Sequence, residues 1–255
     1  MYTCIGLFVF ITITAVSGIH VSDETPYNIY EMSSASDKSG IDMSVCDDCI
    51  SEAVSAINVL LNLILDEGVI ENCGDLCDAL ANKTGSQPAG FVCLVVCNAL
   101  GIGELIRILE HSDIDPIWYC QIAKLCPIND NGDAKFLDFQ MIPSTGRVGT
   151  EFIIDCSFQS KNGTGPGMLT ITIVTPQNQT ASNNFGLDAK KPGTYDLRIG
   201  VKTLSRTCNP FDDSCNAFPT GTYNVTAYLC NGECGSHHPH SSIYDFGRSS
   251  FTVTP

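Results

Sequence analysis

The spacing of apolar residues changes once along the chain, near residue 130. Between residues 44 and 127 apolar residues recur every three or four positions, the spacing that places them on one face of an α-helix. The longest of these stripes consists of Ile50, Val54, Ile57, Leu61 and Ile64. Four shorter helical patterns follow it, so the sequence predicts a unit of five helices.

After residue 136 the apolar residues alternate with polar ones, which is the period of a β-strand with one buried face. Six or seven short strands are predicted, separated by turns rich in Gly, Pro and Asn. Such a series in about 120 residues is typical of an immunoglobulin-like sandwich. The fold class predicted for the chain is therefore two-domain: an all-α, disulfide-rich five-helix domain followed by an all-β immunoglobulin-like sandwich.

Composition divides the chain further. Residues 1–18 carry an apolar run, too short to span a bilayer, that ends in small residues and predicts a secretory signal peptide. Residues 19–43 are polar, acidic and rich in serine, without a helical or strand period, and predict a flexible arm. The predicted boundaries are 44–127 for the helical domain, 128–136 for a linker and 137–255 for the sandwich.

Eight of the 14 cysteines lie in the helical unit, and helical geometry indicates how they pair. Cys73 and Cys77 are one turn apart on one predicted helix, and the next helix repeats this spacing. An antiparallel hairpin sets these cysteines opposite one another, while the other four cysteines can clamp the two ends of the unit together. The expected disulfides are Cys46–Cys126, Cys49–Cys120, Cys73–Cys97 and Cys77–Cys93.

This cysteine arrangement resembles the saposin-like family. The resemblance rests on the C-x2-C opening at Cys46, the C-x5-C close that ends at Cys126, and the bridged central hairpin. It implies a compact helical domain of the saposin B type, of which some relatives bind lipid or perturb membranes. The chain departs from the family by having two bridges in the hairpin, which would stiffen a hairpin that opens in lipid-binding relatives.

The apolar surface of this unit has two interpretations. Five short helices cannot bury this much apolar surface in so small a unit, so either the disulfides carry much of the stability or part of the surface binds lipid or a protein partner. In the first case Val92 to Val96 is simply the core of a disulfide-stabilised domain. The candidate surface residues are Ile57, Leu61, Ile64, Phe91, Leu94 and Val95. Twelve acidic residues against three basic ones between residues 44 and 127 argue against attack on anionic membranes at neutral pH.

The charge of the whole chain excludes one class of partner. A net charge of −15 makes nucleic-acid binding unfavourable. The many cysteines and four glycosylation sequons predict a secreted, extracellular glycoprotein. The sequon asparagines are Asn82, Asn162, Asn178 and Asn224.

Five cysteines in the predicted sandwich leave one unpaired. An antibody-type bridge from Cys156 to Cys230 is one arrangement, but alternation places Cys230 on the same face as Asn224, which must face solvent to be glycosylated. Local bridges are therefore expected for Cys208–Cys215 and Cys230–Cys234. Cys156 is then expected to be a buried free thiol, since it alternates with Phe152 and Ile154.

No constellation of catalytic residues is recognisable, so no enzymatic activity and no cofactor are predicted. His237, His238 and His240 could bind a metal together with Glu233 or Asp245, but an exposed His-rich loop needs no metal, and no metal site is predicted. The acidic segment 130–133 lacks the first carboxylate of a calcium loop, so it is interpreted as a turn.

The order of signal peptide, cysteine-rich helical domain, linker and β-sandwich resembles the countin family of social amoebae. The segment 221–234 and the His-rich loop after it add to this resemblance. It implies a secreted subunit of a multiprotein counting factor that limits group size by changing adhesion and motility, with other secreted proteins and a cell-surface receptor as partners. The alternative is a saposin-type lipid-binding or membrane-perturbing effector.

Overall fold

The computed structural model describes residues 28–32, 44–67, 72–110, 115–203 and 218–255. The predicted signal peptide, the rest of the predicted arm and the expected Cys208–Cys215 bridge lie outside these ranges. The helices are α1 (Ser44–Glu67), α2 (Cys73–Thr84), α3 (Gln87–Leu100), α4 (Ile102–Glu110) and α5 (Pro116–Ile122). The strands are β1 (Asn28–Glu31), β2 (Lys135–Ile142), β3 (Thr145–Arg147), β4 (Glu151–Ser160), β5 (Gly167–Val174), β6 (Thr180–Leu187), β7 (Gly193–Lys202), β8 (Gly221–Asn231) and β9 (Ser242–Thr254).

Polar side chains fix where three of the helices begin. Asn72, Ser86 and Asp115 each accept a hydrogen bond from the backbone N–H three residues further on, which satisfies an otherwise unpaired donor of the first turn. Gly101, with φ +86°, ends α3, and the chain bends by 109° into α4. Among the described helices, no single one is long and apolar enough to cross a membrane.

The buried face of α1 differs from the predicted stripe. Its buried residues are Cys46, Cys49, Ala53, Ala56, Ile57, Leu60 and Leu63. Val54, which the sequence placed in the stripe, is 54% exposed. The disulfides of Cys46 and Cys49 turn the cysteine side of the helix inward, so the predicted stripe becomes the flank of the buried face.

The strands form two packed sheets. One has the order β1-β7-β4-β2 and the other the order β3-β9-β8-β5-β6. Alternate side chains of the long strands point into the space between the sheets, and the largest fully buried ones are aromatic: Tyr223, Phe152, Phe158 and Phe251. The period-two segments of the sequence therefore supply the inner faces of this sandwich.

The predicted fold class, an all-α saposin-like domain followed by an all-β immunoglobulin-like sandwich, is wrong. β1 precedes the helices, yet it is the edge strand of the four-stranded sheet, antiparallel to β7. β3 runs parallel to β9 instead of antiparallel. Ala189, between β6 and β7, is buried in the core of the helices. The structure is a disulfide-rich helical region inserted between strands of a two-sheet β-region. A four-residue strand is too short to show a period, so the sequence could not reveal it.

Candidate interaction site

Four disulfides hold the helical region together. Cys46–Cys126 and Cys49–Cys120 join α1 to the region of α5, with Cα–Cα distances of 4.7 and 6.0 Å. Cys73–Cys97 and Cys77–Cys93 join α2 to α3, both at 5.6 Å. A Cβ atom added at Gly90 would lie 2.7 Å from the Cβ of Ala81, so α2 and α3 approach closely. With its bridges intact, this hairpin cannot separate.

One side of α3 forms an apolar surface. Its exposed and half-buried residues are Pro88, Phe91, Leu94, Val95, Asn98 and Ala99. Phe91 is 61% exposed and Leu94 is 37% exposed. The helix contains no charged residue. We call this surface the α3 face, and it is the kind of exposed apolar patch that marks an interaction site.

The six candidate surface residues of the sequence do not form one surface. Phe91, Leu94 and the half-buried Val95 lie on the α3 face. Leu61 and Ile64 of α1 are half-buried against the core of the helices, and Ile57 is buried in it. The structure therefore separates the three residues of α3 from the three of α1.

A small apolar cavity lies between α1, α3, α4 and α5. Its volume is about 30 Å³, and Ile57, Val92, Val96 and Leu105 are among the residues that line it. That volume is comparable to the space of a single water molecule. This cavity, as the described residues form it, is therefore too small for an acyl chain.

Helix α5 packs against the loop between β8 and β9. The rings of Trp118 and His238 stack, with centroids 3.9 Å apart and planes 6° apart. Asp115 is fully buried, and its carboxylate accepts hydrogen bonds from the Trp118 N–H at 2.8 Å and the Ser241 hydroxyl at 3.0 Å. Burial, together with the charge of Asp115, raises the pKa of Glu233 to about 7.

A second contact between the helices and the β-region pairs two carboxyl groups. Burial raises the pKa of Asp47 on α1, and the charge of Asp188 and a hydrogen bond to its carboxyl act in the same direction. A hydrogen bond between two carboxyl groups requires that one of them carry a proton. No sequence pattern could predict this pairing, because Asp47 and Asp188 lie 141 positions apart in the chain.

The three histidines of the β8–β9 loop do not converge. His238 stacks on Trp118, whereas His240 Nδ1 lies 2.7 Å from Asp130 Oδ1, and His237 is exposed. Asp245 accepts a hydrogen bond from the Phe136 N–H at 2.9 Å. Within the described residues, no group of three or more His, Cys, Asp or Glu could hold a metal ion.

The remaining cysteines and the sequon asparagines differ in bonding and in exposure. Cys230 and Cys234 are bonded to each other. Cys156 is a buried free thiol 3.6 Å from the Leu197 carbonyl oxygen, and burial raises the pKa of Cys156 to about 12. The four sequon asparagines, which include Asn82 of the helical region, are exposed. Cys208 and Cys215 lie outside the described residues.

Both halves of the chain match family models. Residues 42–124 match the countin N-terminal domain, and residues 134–255 match the countin C-terminal domain. The chain is 32% identical over 209 residues to Countin-1 of Dictyostelium discoideum, which covers 82% of this chain and 77% of Countin-1. It is also 32% identical over 209 residues to Countin-3 of the same organism, across 82% of this chain and 89% of Countin-3.

Solved structures resemble this one only loosely. An alkylpurine DNA glycosylase of Pseudomonas fluorescens, bound to DNA with an abasic-site analogue, has a TM-score of 0.37 and 12% sequence identity. The match covers 83% of this chain and 52% of that one. A score this low assigns no common fold.

Proposed function

The chain belongs to the countin family, and from this premise we propose that it is a secreted, non-enzymatic interaction protein that regulates the size of cell groups. It acts as a subunit of an extracellular complex that changes cell adhesion and motility. Its partners are other secreted proteins and a cell-surface receptor. The observation that carries the proposal is the match of one chain to both countin domains.

An extracellular location is supported by the covalent structure. The described residues form disulfides in both the helical region and the β-region. Disulfides persist in oxidising compartments and are rare in cytosolic proteins. The exposure of Asn82, Asn162, Asn178 and Asn224 makes each sequon accessible for glycosylation.

The buried and half-buried carboxylates make structural hydrogen bonds, which favours a binding role over catalysis. Asp115 caps α5 and binds Ser241, while Asp133 accepts hydrogen bonds from Ser160 and from the backbone at Lys161 and Asn162. These carboxylates hold segments of the fold in place. The Cys156 thiol has a raised pKa, the opposite of a catalytic cysteine.

The proposal is tested on aggregating social amoebae. Purified, disulfide-intact protein is added to Dictyostelium discoideum cells, and the mean group size is compared with that after addition of reduced, alkylated protein. We expect smaller groups with the intact protein only. In parallel, size-exclusion chromatography with mass spectrometry of the natively secreted protein is expected to find other secreted proteins in the same fraction. A monomer without effect on group size contradicts the proposal.

Lipid binding is a second candidate function, and the α3 face favours it. The face combines an exposed aromatic ring, Phe91, with the aliphatic Leu94 and lacks charged side chains. Such a surface can lie on a bilayer without separation of α2 from α3. Binding is expected to strengthen at acid pH, where protonation reduces the acidic charge of the helical region.

Liposome co-sedimentation at about pH 5 and pH 7 tests this second candidate. The Phe91→Ser variant is expected to lose most of the binding at pH 5. Leu137→Ser is the matched control, because Leu137 is 57% exposed and belongs to strand β2 and not to the helical region. Equal binding by the two variants, or no binding by the unaltered protein, contradicts a lipid-binding α3 face.

A further inference from the structure

Strand β1 is joined to the β-region by specific contacts although the helices follow it in the chain. It pairs with β7 in the register Asn28↔Lys202, Ile29↔Val201, Tyr30↔Gly200 and Glu31↔Ile199. Ile29 is buried to 8% exposure in the core between the sheets. The edge of β7 is therefore a site for an extended peptide segment, and this chain's own segment occupies it.

The site selects its occupant at two successive positions. A Cβ atom added at Gly200 would lie 2.5 Å from Cζ of Tyr30, so the aromatic ring fits only because position 200 is glycine. Lys202 Nζ lies 4.8 Å from the centre of the same ring. On the other face, Ile29 enters the core beside its neighbour Val201. An aliphatic residue followed by an aromatic one is what this edge accepts.

Both sheets hold the backbone of β1. Asn183 Nδ2 of β6, in the opposite sheet, donates to the Ile29 carbonyl oxygen at 3.2 Å, and the Met32 N–H donates to the Arg198 carbonyl oxygen at 2.9 Å. These bonds recognise an extended backbone without regard to the chain it belongs to. A β1 segment supplied by a second copy would make the same bonds.

Exchange of β1 between copies has a low structural cost. Only four residues pair, and a short edge strand opens far more easily than a long central one. Once β1 leaves, the unpaired N–H and C=O groups of β7 form a template for another strand. β1 ends at Glu31 and α1 begins at Ser44, so twelve residues of the sequence separate β1 from the helices.

We propose that the edge of β7 is an interaction surface whose partner is β1 of a second copy of this chain. The second copy adds its Ile29 and Tyr30 in the register seen here and joins the two molecules by strand exchange. At low concentration each molecule fills its own site, because its own β1 has the higher effective concentration. At high concentration the exchanged form accumulates.

Cysteine trapping tests the exchange directly. Asn28 and Lys202 lie directly opposite each other on the two strands. The Cα–Cα distance of such a cross-strand pair is within the range that a disulfide spans. Tagged Asn28→Cys protein is mixed at high concentration with untagged Lys202→Cys protein under mild oxidation, and the products are separated by non-reducing electrophoresis. We expect a mixed dimer. Thr194→Cys is the matched control, because Thr194 lies on the same face of β7 about 26 Å from Lys202.

A single chain that carries both Asn28→Cys and Lys202→Cys tests whether β1 occupies the edge of β7 within one molecule. At low concentration it is expected to close an intramolecular disulfide, which peptide mapping detects. If this bridge forms but the mixture of single variants yields no more dimer than the Thr194→Cys control, β1 does not exchange and the proposal is overturned. If the bridge does not form, the acceptor site itself is refuted.

A change at Gly200 separates specific exchange from random collision. Adding Gly200→Ala to the Lys202→Cys protein places a methyl group where the Tyr30 ring lies, and we expect roughly tenfold less mixed dimer. Tyr30→Ser in the Asn28→Cys partner removes the ring and is expected to restore part of the yield. A yield that Gly200→Ala does not change contradicts the proposed site.

Discussion

The carboxyl group of Glu233 makes the stability of the folded protein depend on pH. Burial and the nearby Asp115 raise the pKa of Glu233 to about 7, whereas a carboxyl in an unfolded chain titrates near pH ~4.3. The folded state therefore binds this proton more tightly than the unfolded state. Its contribution to stability is complete below pH ~4.3 and is lost as the pH rises through about 7.

The Glu233→Gln variant should lose this dependence, because an amide carries no charge at any of these pH values. We expect its free energy of unfolding to equal that of the unaltered protein near pH 4.5 and to exceed it by about 1 kcal/mol at pH 8. This difference is smaller than the free energy that corresponds to the full pKa shift, because water reaches part of the side chain and screens its charge. Urea unfolding at several pH values measures the difference. Glu151→Gln, at an exposed position of β4, is the control. A gain that does not grow with pH contradicts the assignment.

The Cys156 thiol should be inert in the folded protein. It is buried, and burial raises the pKa of Cys156 to about 12, so little reactive thiolate exists at neutral pH. We expect iodoacetamide at pH 8 to modify Cys156 only after addition of denaturant. Peptide mapping by mass spectrometry measures the modified fraction. Substantial labelling in the native state within minutes would show an accessible thiol.

At the scale of one element, α1 shows where a sequence pattern becomes ambiguous. Apolar residues cover a wide arc of this helix, and the stripe that contains Leu60 lies beside the stripe that contains Val54. The sequence favoured the stripe with Val54, whereas the structure turns the stripe with Leu60 and the cysteines inward. The disulfides decide the rotation, so the cysteines were the better guide to the buried face.

Two truncations on α1 distinguish the stripes. Leu60 is 7% exposed and lines the cavity, whereas Val54 is 54% exposed. We expect Leu60→Ala to lower the free energy of unfolding by about 2–4 kcal/mol and Val54→Ala to change it by less than about 0.5 kcal/mol. Denaturant unfolding with the disulfides intact measures both values. The opposite ranking would support the stripe that the sequence favoured.

Across the whole molecule, local patterns predicted the elements better than their assembly. The helical and period-two segments lie where the sequence placed them, since each pattern depends only on near neighbours. The pairing of β1 with β7 joins residues about 170 positions apart, and no local period encodes such a contact. β6 was missed because one of its inward positions is the polar Asn183, which interrupts the apolar alternation between Ala181 and Phe185.

The contacts between the helices and the β-region bring together groups that titrate. Asp47 faces Asp188 and Asp48, and Glu233 faces Asp115. His238 stacks on Trp118 and interacts with the charge of Glu104. Because the pKa values of Asp47 and Glu233 are raised in the folded state, protonation strengthens these contacts. Through Asp47 and Glu233, acid therefore favours a tighter association of the helices with the β-region.

Trp118 is the chain's only tryptophan, so its fluorescence reports on this interface. We expect the emission to shift as the pH rises from about 5 to 8, because Glu233, whose pKa is raised to about 7, becomes charged, repels Asp115 and loosens the stack with His238. The double variant Asp188→Asn, Glu233→Gln keeps His238 and should suppress the transition. An unchanged transition in that variant would contradict this assignment, and the carboxyl pairs would then have no part in holding the helices to the sheets.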